Sequence, residues 1–328
     1  MLRPLALILS LTAGTAQALC EGTGYLDTLT DAQAARVAEA AAATPNGTGL
    51  HWTATRGADR VEIIGTMHVH DPRIAPLAGR FAPLVADADV LMVEAGPEEE
   101  AQLQAEMGRN PGLVFVIDGP TLPERLDEPT WKALAEAAAS RGLPAVLASK
   151  MRPWYLSLNL AIPPCAMPDL VAGRRGLDHA LLAEAEASGT PVVALEAWDT
   201  LFTLMQGADE EEQIEMLKLS LVPPDVQSQV FVSMLDSYFA GEVAEVWEVS
   251  RVAVDEVSGL TPERAEEIFA ETEEELLTTR NRAWIPVIEA QMGEADIAVV
   301  AVGAAHLPGE DGVIALLRDS GWTVTRAD

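Results

Sequence analysis

Two short segments of the chain place a histidine three residues after a glycine, each at the end of an apolar run. Val61-Glu62-Ile63-Ile64-Gly65-Thr66-Met67-His68 leads directly to His70, and Ile297-Ala298-Val299-Val300-Ala301-Val302-Gly303-Ala304-Ala305-His306 repeats the arrangement. Only five histidines occur in the chain, so the repeated unit uses a large share of them. Gly65 and Gly303 permit a turn or a close backbone approach where each run ends, and the loop beyond can aim an imidazole into a cleft at a sheet edge. Two further apolar runs, Leu91-Met92-Val93-Glu94-Ala95 and Val193-Ala194-Leu195-Glu196-Ala197, both end in Glu-Ala. A carboxylate at the end of a buried strand is costly unless it is paired, hydrogen-bonded or metal-bound.

Brought together, neutral His68 and His306 with Glu94 and Glu196 make a donor set suited to Zn, Mn, Co or Fe, with one position left for water. Such an ion lowers the pKa of a water and polarises a carbonyl, which hydrolysis near neutral pH requires. Glu196 is then either a ligand or a general base. The competing reading pairs both glutamates with arginines inside the protein and uses the histidines as loop caps. Thr279-Arg280-Asn281-Arg282 interrupts an acidic-apolar helical pattern, and the donors of Arg280 and Asn281 suit a carboxylate clamp or an oxyanion; ordinary solvation is the alternative. A serine hydrolase is not expected, because the chain lacks a Gly-x-Ser-x-Gly elbow.

The elements that must position these groups are legible as short β-branched runs and longer helical patterns. Strands are expected at Gly49–Thr55, Arg60–Gly65, Val90–Glu94, Val192–Glu196, Ile297–Gly303 and Thr323–Arg326. Several are apolar on both faces, so helices must cover the sheet. Helices are expected at Asp31–Ala43, Ile74–Asp87, Glu98–Met107, Glu128–Ser140, Leu177–Ser188, Glu210–Leu221, Asp225–Ala240, Val243–Val254 and Gly312–Asp319. The longest runs from Pro262 to Met292, capped by Thr261 and kinked near Pro286. The expected fold is α/β: duplicated strand-helix units forming a mixed central sheet, with a helical subdomain over about 198–293 inside one domain spanning 19–328.

Composition bounds the partners. The 328 residues include 21 Lys+Arg and 51 Asp+Glu, a net charge of −30, so most of the surface repels nucleic acid and anionic lipid. Met1 to Leu19 carries Arg3, a short apolar run and Ala16-Gln17-Ala18, the pattern of a cleavable export signal over 1–18, too short to span a bilayer. After cleavage no stable membrane span is expected, and the location is periplasmic or secreted. The only two cysteines, Cys20 and Cys165, would then pair in an oxidising compartment, against the alternative of two buried thiols. Runs such as Glu273-Glu274-Glu275 read as solvated helix faces.

These segments resemble the TraB/GumN family, which is related to the Tiki-type metalloproteases. The resemblance covers nearly all of the mature chain. It rests on Gly65-Thr66-Met67-His68 with His70-Asp71-Pro72-Arg73, on Val93-Glu94, and on Lys150-Met151-Arg152-Pro153-Trp154. It continues through Gly176-Leu177-Asp178, Leu195-Glu196, Arg280-Asn281 and Val302-Gly303-Ala304-Ala305-His306 with the segment to Gly312. One departure is Ala305, where family members commonly carry glycine. The resemblance implies a duplicated α/β fold and a divalent-metal site, manganese or cobalt among the metals, that hydrolyses peptide bonds in the Tiki-type members. It carries over His68, Glu94, Glu196 and His306 as the metal set, Arg280 and Asn281 as cleft residues, and Asp178 without a role. The resulting expectation is an exported hydrolase using Mn, Co or Zn on a peptide or small-molecule substrate. In it His68, Glu94 and His306 are ligands, Glu196, Arg280 and Asn281 act on substrate, and Gly65, His70, Asp178 and Gly303 line the cleft. The alternative is a periplasmic protein that binds a peptide or other ligand in the same pocket without turnover.

Overall fold

The computed structural model describes residues 20–207, 209–257 and 260–328, so the expected export signal lies outside the described residues. All six expected strands form: β1 (His51–Arg56), β2 (Asp59–Thr66), β3 (Val90–Val93), β4 (Val192–Ala194), β5 (Ile297–Gly303) and β6 (Thr323–Arg326). They make one mixed sheet in the order β4-β3-β5-β2-β1-β6. β4, β3, β5 and β2 are parallel, while β1 runs antiparallel to both β2 and β6.

The inner parallel strands β3, β5 and β2 are buried on both faces because each supplies alternate apolar residues to two cores, while the edge strand β4 is half-buried. Val61, Ile63, Val90, Met92, Ala298, Val300 and Val302 pack on one side against Trp284, Ile288 and Met292 of the helix Thr279–Met292 and against Val313, Ile314 and Leu317 of Val313–Asp319. On the other side, Ile64, Leu91, Val93, Val299 and Ala301 meet Phe81 and Val85 of Ile74–Ala86 and Leu177, Leu181 and Ala185 of Leu177–Ser188. The layers are helix, sheet, helix, and the fold is the expected α/β architecture.

Four parallel strands in the order β4-β3-β5-β2 deliver their C-terminal ends to one edge, so Glu196, Glu94, His306 and His68 leave neighbouring strands in that sequence. An open parallel sheet presents its ligand crevice at this edge. The register sets the two glycine turns nearly level, with Gly65 opposite Val302 and Thr66 opposite Gly303.

The long helix expected from Pro262 to Met292 is interrupted by a π-helical turn at Glu274–Thr278, between Pro262–Glu273 and Thr279–Met292. A π turn inserts a residue into the hydrogen-bond ladder and rotates the next helical turn relative to the last. The turn rotated here carries Arg280 and Asn281. Cys20 and Cys165 form a disulfide across 145 residues, tying the first described residue to the helical layer. No helix among the described residues is long and apolar enough to cross a membrane.

Candidate functional site

The site is built on a floor without side chains. A Cβ on Gly303 would stand 3.2 Å from Glu94 Oε1, 3.4 Å from His68 Nε2 and 3.5 Å from His306 Cδ2, so glycine keeps open the space into which the three side chains point. Gly65 serves the neighbouring turn, because a Cβ there would meet Leu307 Cδ1 at 2.9 Å. The Gly65 carbonyl is held by the Tyr238 hydroxyl at 3.0 Å.

Glu94 is the hub. Its Oε1 accepts the Gly303 N–H at 2.6 Å and lies 3.9 Å from both His68 Nε2 and His306 Nε2. Its Oε2 accepts from Arg280 Nη2 at 2.6 Å. Burial opposes its ionisation, but the imidazoles, Arg280 and the Gly303 N–H outweigh it and hold the carboxyl down at about 2.

Each imidazole is oriented through its Nδ1. His306 is 4% exposed, with Nδ1 2.7 Å from Asn281 Oδ1 and its ring 4.4 Å from that of Trp284. Asn281 donates to the Asp311 carbonyl at 2.9 Å, which leaves its Oδ1 as the acceptor for His306 Nδ1–H. Nε2 therefore carries the lone pair, which accepts from Arg280 Nη1 at 3.3 Å. Burial and then Arg280 and His68 push His306 down to about 4 against the pull of Glu94, so the ring is neutral near pH 7. His68 Nδ1 lies 3.4 Å from Asp178 Oδ2, which also takes His179 Nδ1 at 2.9 Å. Burial among protein atoms opposes protonation of His68, yet Asp178 and Glu94 raise it overall. The ring is 60% exposed at the cleft rim, so solvent screens these fields.

Arg280 ties the acidic groups together. Its Nε and Nη2 donate to Glu196 Oε2 and Oε1 at 2.9 and 2.8 Å, and Trp284 Nε1 donates to Glu196 Oε2 at 3.1 Å. Both glutamates are thus paired with an arginine inside the protein, in keeping with the competing reading of the sequence. Glu196 faces Arg280 and Trp284, with both oxygens engaged there. The structure therefore gathers His68, Glu94, His306, Arg280, Asn281, Asp178 and Gly303, with Glu196 reaching them through Arg280. His70 turns elsewhere: its Nδ1 is 2.8 Å from Asp169 Oδ2, a carboxylate that Arg174 also holds.

Asp178 acquires a position that sequence reasoning does not give it, behind His68. Trp284 carries no signal in the sequence, and Gly176 is legible there only as part of the Gly176-Leu177-Asp178 segment. Gly176 caps Leu177–Ser188 with an ordinary φ of −78°, but a Cβ there would fall 1.8 Å from the Met67 carbonyl oxygen and 2.5 Å from the His68 carbonyl carbon. The glycine in Gly176-Leu177-Asp178 is the available signal, since only a residue without a side chain lets the helix start against the His68 loop.

As placed, the described residues contain no group of three His, Cys, Asp or Glu close enough to hold a metal ion. Ligands at about 2.1 Å from one tetrahedral ion stand roughly 3.4 Å apart, so the 3.9 Å spacings around Glu94 Oε1 are about half an ångström wide. The chemistry of the set fits nonetheless: one imidazole fixed through Nδ1 by Asn281, a second with Nδ1 3.4 Å from Asp178, one carboxylate oxygen between them, and an open glycine floor. An outer acceptor on Nδ1 is the usual support of a metal-bound histidine.

A model of the TraB/PrgY/gumN family matches residues 50–326. No curated protein and no solved structure matches the chain. The family match takes in all six strands and each member of the cluster, and the chain belongs to the TraB/PrgY/gumN family.

Proposed function

We propose that this chain is an exported, divalent-metal-dependent hydrolase acting on peptide bonds, with His68 Nε2, His306 Nε2 and Glu94 Oε1 as the protein donors. The observation that carries the reading is the pair of 3.9 Å spacings from one Glu94 oxygen to two imidazole Nε2 atoms whose Nδ1 atoms face Asp178 and Asn281. A bound Mn, Co or Zn ion would supply a more acidic water and Lewis acidity toward a carbonyl. The protein's own groups do the rest. Asn281 keeps His306 in the tautomer that presents a lone pair, and Asp178 does the corresponding work behind His68. Arg280 pairs with both Glu94 and Glu196 through a fully engaged guanidinium, so its use toward a charged carbonyl oxygen requires one of these bonds to be exchanged. Glu196 holds Arg280 in a bidentate pair, and its use as a base requires that pair to open. The disulfide between Cys20 and Cys165 supports export, because such bonds persist in oxidising compartments.

A second reading is favoured by one feature: the engaged oxygens of Glu196 and the guanidinium already beside Glu94 describe a site that can recognise a ligand without turning it over. The two readings separate in a peptide-library digest with Mn, Co or Zn. Metal-dependent cleavage that is lost in His306→Ala supports the hydrolase. Ligand binding with no cleavage under any metal favours the binding protein.

A further inference from the structure

We propose that a cavity of about 250 Å3 beside His306 is a subsite for the basic side chain of a peptide. The word substrate for that peptide rests on the hydrolase reading; the cavity does not. It is walled by Trp247 and Glu248 of the helix Val243–Val257, by Glu273, Thr278 and Asn281, and by the loop after β5.

The charge of the cavity favours a cation. Glu248, Glu273, Glu310 and Asp311 line it, and no Lys or Arg does. From outside the lining, Arg251 lies 3.3 Å from each of Glu248 and Glu273, and Arg282 lies 2.9 Å from Asp311. Four carboxylates against two guanidiniums leave two negative charges, and Glu310 makes no ion pair among the described residues. Burial and the neighbouring Glu273 and Glu266 push the Glu248 carboxyl upward against Arg251, a strain that a further cation would relieve.

Two side chains of the lining lack a protein hydrogen-bond partner among the described residues. Trp247 Nε1 is buried without a hydrogen-bond partner among the described residues. Thr278 is 8% exposed, lines the cavity, and makes no side-chain hydrogen bond among the described residues. The Thr278 hydroxyl, without a protein partner beside a negative wall, is complementary to a cation carrying a nearby carbonyl. A lysine or arginine residue within a peptide has both. The π-helical turn Glu274–Thr278 accounts for the placement, because it ends at Thr278 and directs the next turn, with Arg280 and Asn281, toward the histidines.

The subsite joins the candidate active site through Asn281, which lines the cavity while its Oδ1 meets His306 Nδ1 at 2.7 Å. Ala305, the neighbour of His306, forms part of the same wall. A basic residue seated here lies one residue away from an imidazole that faces Glu94.

The test is a titration of the 15N-labelled full chain with N-acetyl-arginine amide, monitoring indole N–H resonances, with N-acetyl-glutamine amide as the neutral comparison. Trp247→Phe assigns the Trp247 resonance by its disappearance. The subsite predicts that this resonance moves saturably with the arginine probe and not with the glutamine probe. It also predicts that Thr278→Val and Glu310→Gln each weaken the probe by roughly three- to tenfold, about the worth of one hydrogen bond or partly screened charge. A Trp247 resonance that stays in place at millimolar arginine probe, or that responds equally to both probes, overturns the subsite. Probe binding with no peptide cleavage overturns the hydrolase and keeps the subsite. Cleavage without preference for basic residues, with a silent Trp247, overturns the subsite and leaves the hydrolase standing.

Discussion

Gly176→Ala probes how the His68 loop is held. The φ of Gly176 is −78°, so alanine suits the backbone, and the cost is steric alone. The added methyl would lie 1.8 Å from the Met67 oxygen, 2.5 Å from the His68 carbonyl carbon and 2.7 Å from Asp178 Oδ1. Non-bonded carbon and oxygen settle near roughly 3.3 Å, so the helix start and the loop must separate by about 1.5 Å. The separation breaks the bond from Leu177 N–H to the Met67 carbonyl, 2.8 Å long in the native chain and worth about 1 kcal/mol. Overpacking adds about 1–3 kcal/mol. The expected loss is therefore about 2–4 kcal/mol, read as a fall in Tm of several degrees by calorimetry without metal. The retreat also carries His68 away from Asp178 and Glu94, and metal affinity measured by equilibrium dialysis should fall roughly 10–100-fold, as when an outer-shell partner is lost. Gly79→Ala is the control: Gly79 lies within the helix Ile74–Ala86 with nothing near its virtual Cβ, so alanine should add about 0.5–1 kcal/mol. A Gly176→Ala protein with wild-type stability and metal affinity would refute the reasoning.

Other perturbations address the surrounding structure. Arg280→Met leaves Glu94 and Glu196 without their partner at 16% and 10% side-chain exposure, and should cost about 3–5 kcal/mol in denaturant titration; an unchanged midpoint would show the clamp to be idle. Cys165→Ser opens a bridge across 145 residues, which the chain-entropy relation values at about 5 kcal/mol, and reduction of the wild type should reproduce the loss. Glu62 is held below the ordinary carboxylate range: burial opposes ionisation, but His51 Nε2 and Thr53 Oγ1, each at 2.8 Å, with Arg60, prevail. Because its folded pKa lies below the unfolded one, its contribution is complete above about pH 4.3 and fades as pH falls through the folded value. Stability of Glu62→Gln against pH should therefore be flatter on the acid side than that of the wild type, and parallel curves would exclude this role.

Local pattern reveals the strands and most of the longer helices because each carries its own periodicity. β5 is a continuous apolar run buried on both sides, and the Asp31–Ala43 helix forms over its expected bounds. Short helices such as Pro153–Ala161 and Met167–Val171 carry no such signal, since Pro163, Pro164 and Pro168 crowd the segment and Leu156 and Leu160 bury into a separate core built from other short elements. The π turn is likewise invisible, because no residue type marks an extra residue in a helical ladder. At the site, residue types and strand ends suffice to nominate His68, Glu94 and His306. What they do not give is the competition among long-range partners. Glu196 is taken by an arginine 84 residues away, His70 by an aspartate 99 residues away, and Asp178 reaches His68 only because Gly176 lets the helix begin against that loop.

The most direct measurement of the central claim is the metal content and cobalt absorption spectrum of the full chain after dialysis against Co2+, compared with His68→Ala, Glu94→Gln and His306→Ala. One equivalent of cobalt with ligand-field bands in the wild type, and loss of both signals in each variant, is the predicted result. Wild-type protein that retains no cobalt, or variants that bind it with undiminished affinity and an unchanged spectrum, would contradict a metal held between two imidazoles and one carboxylate.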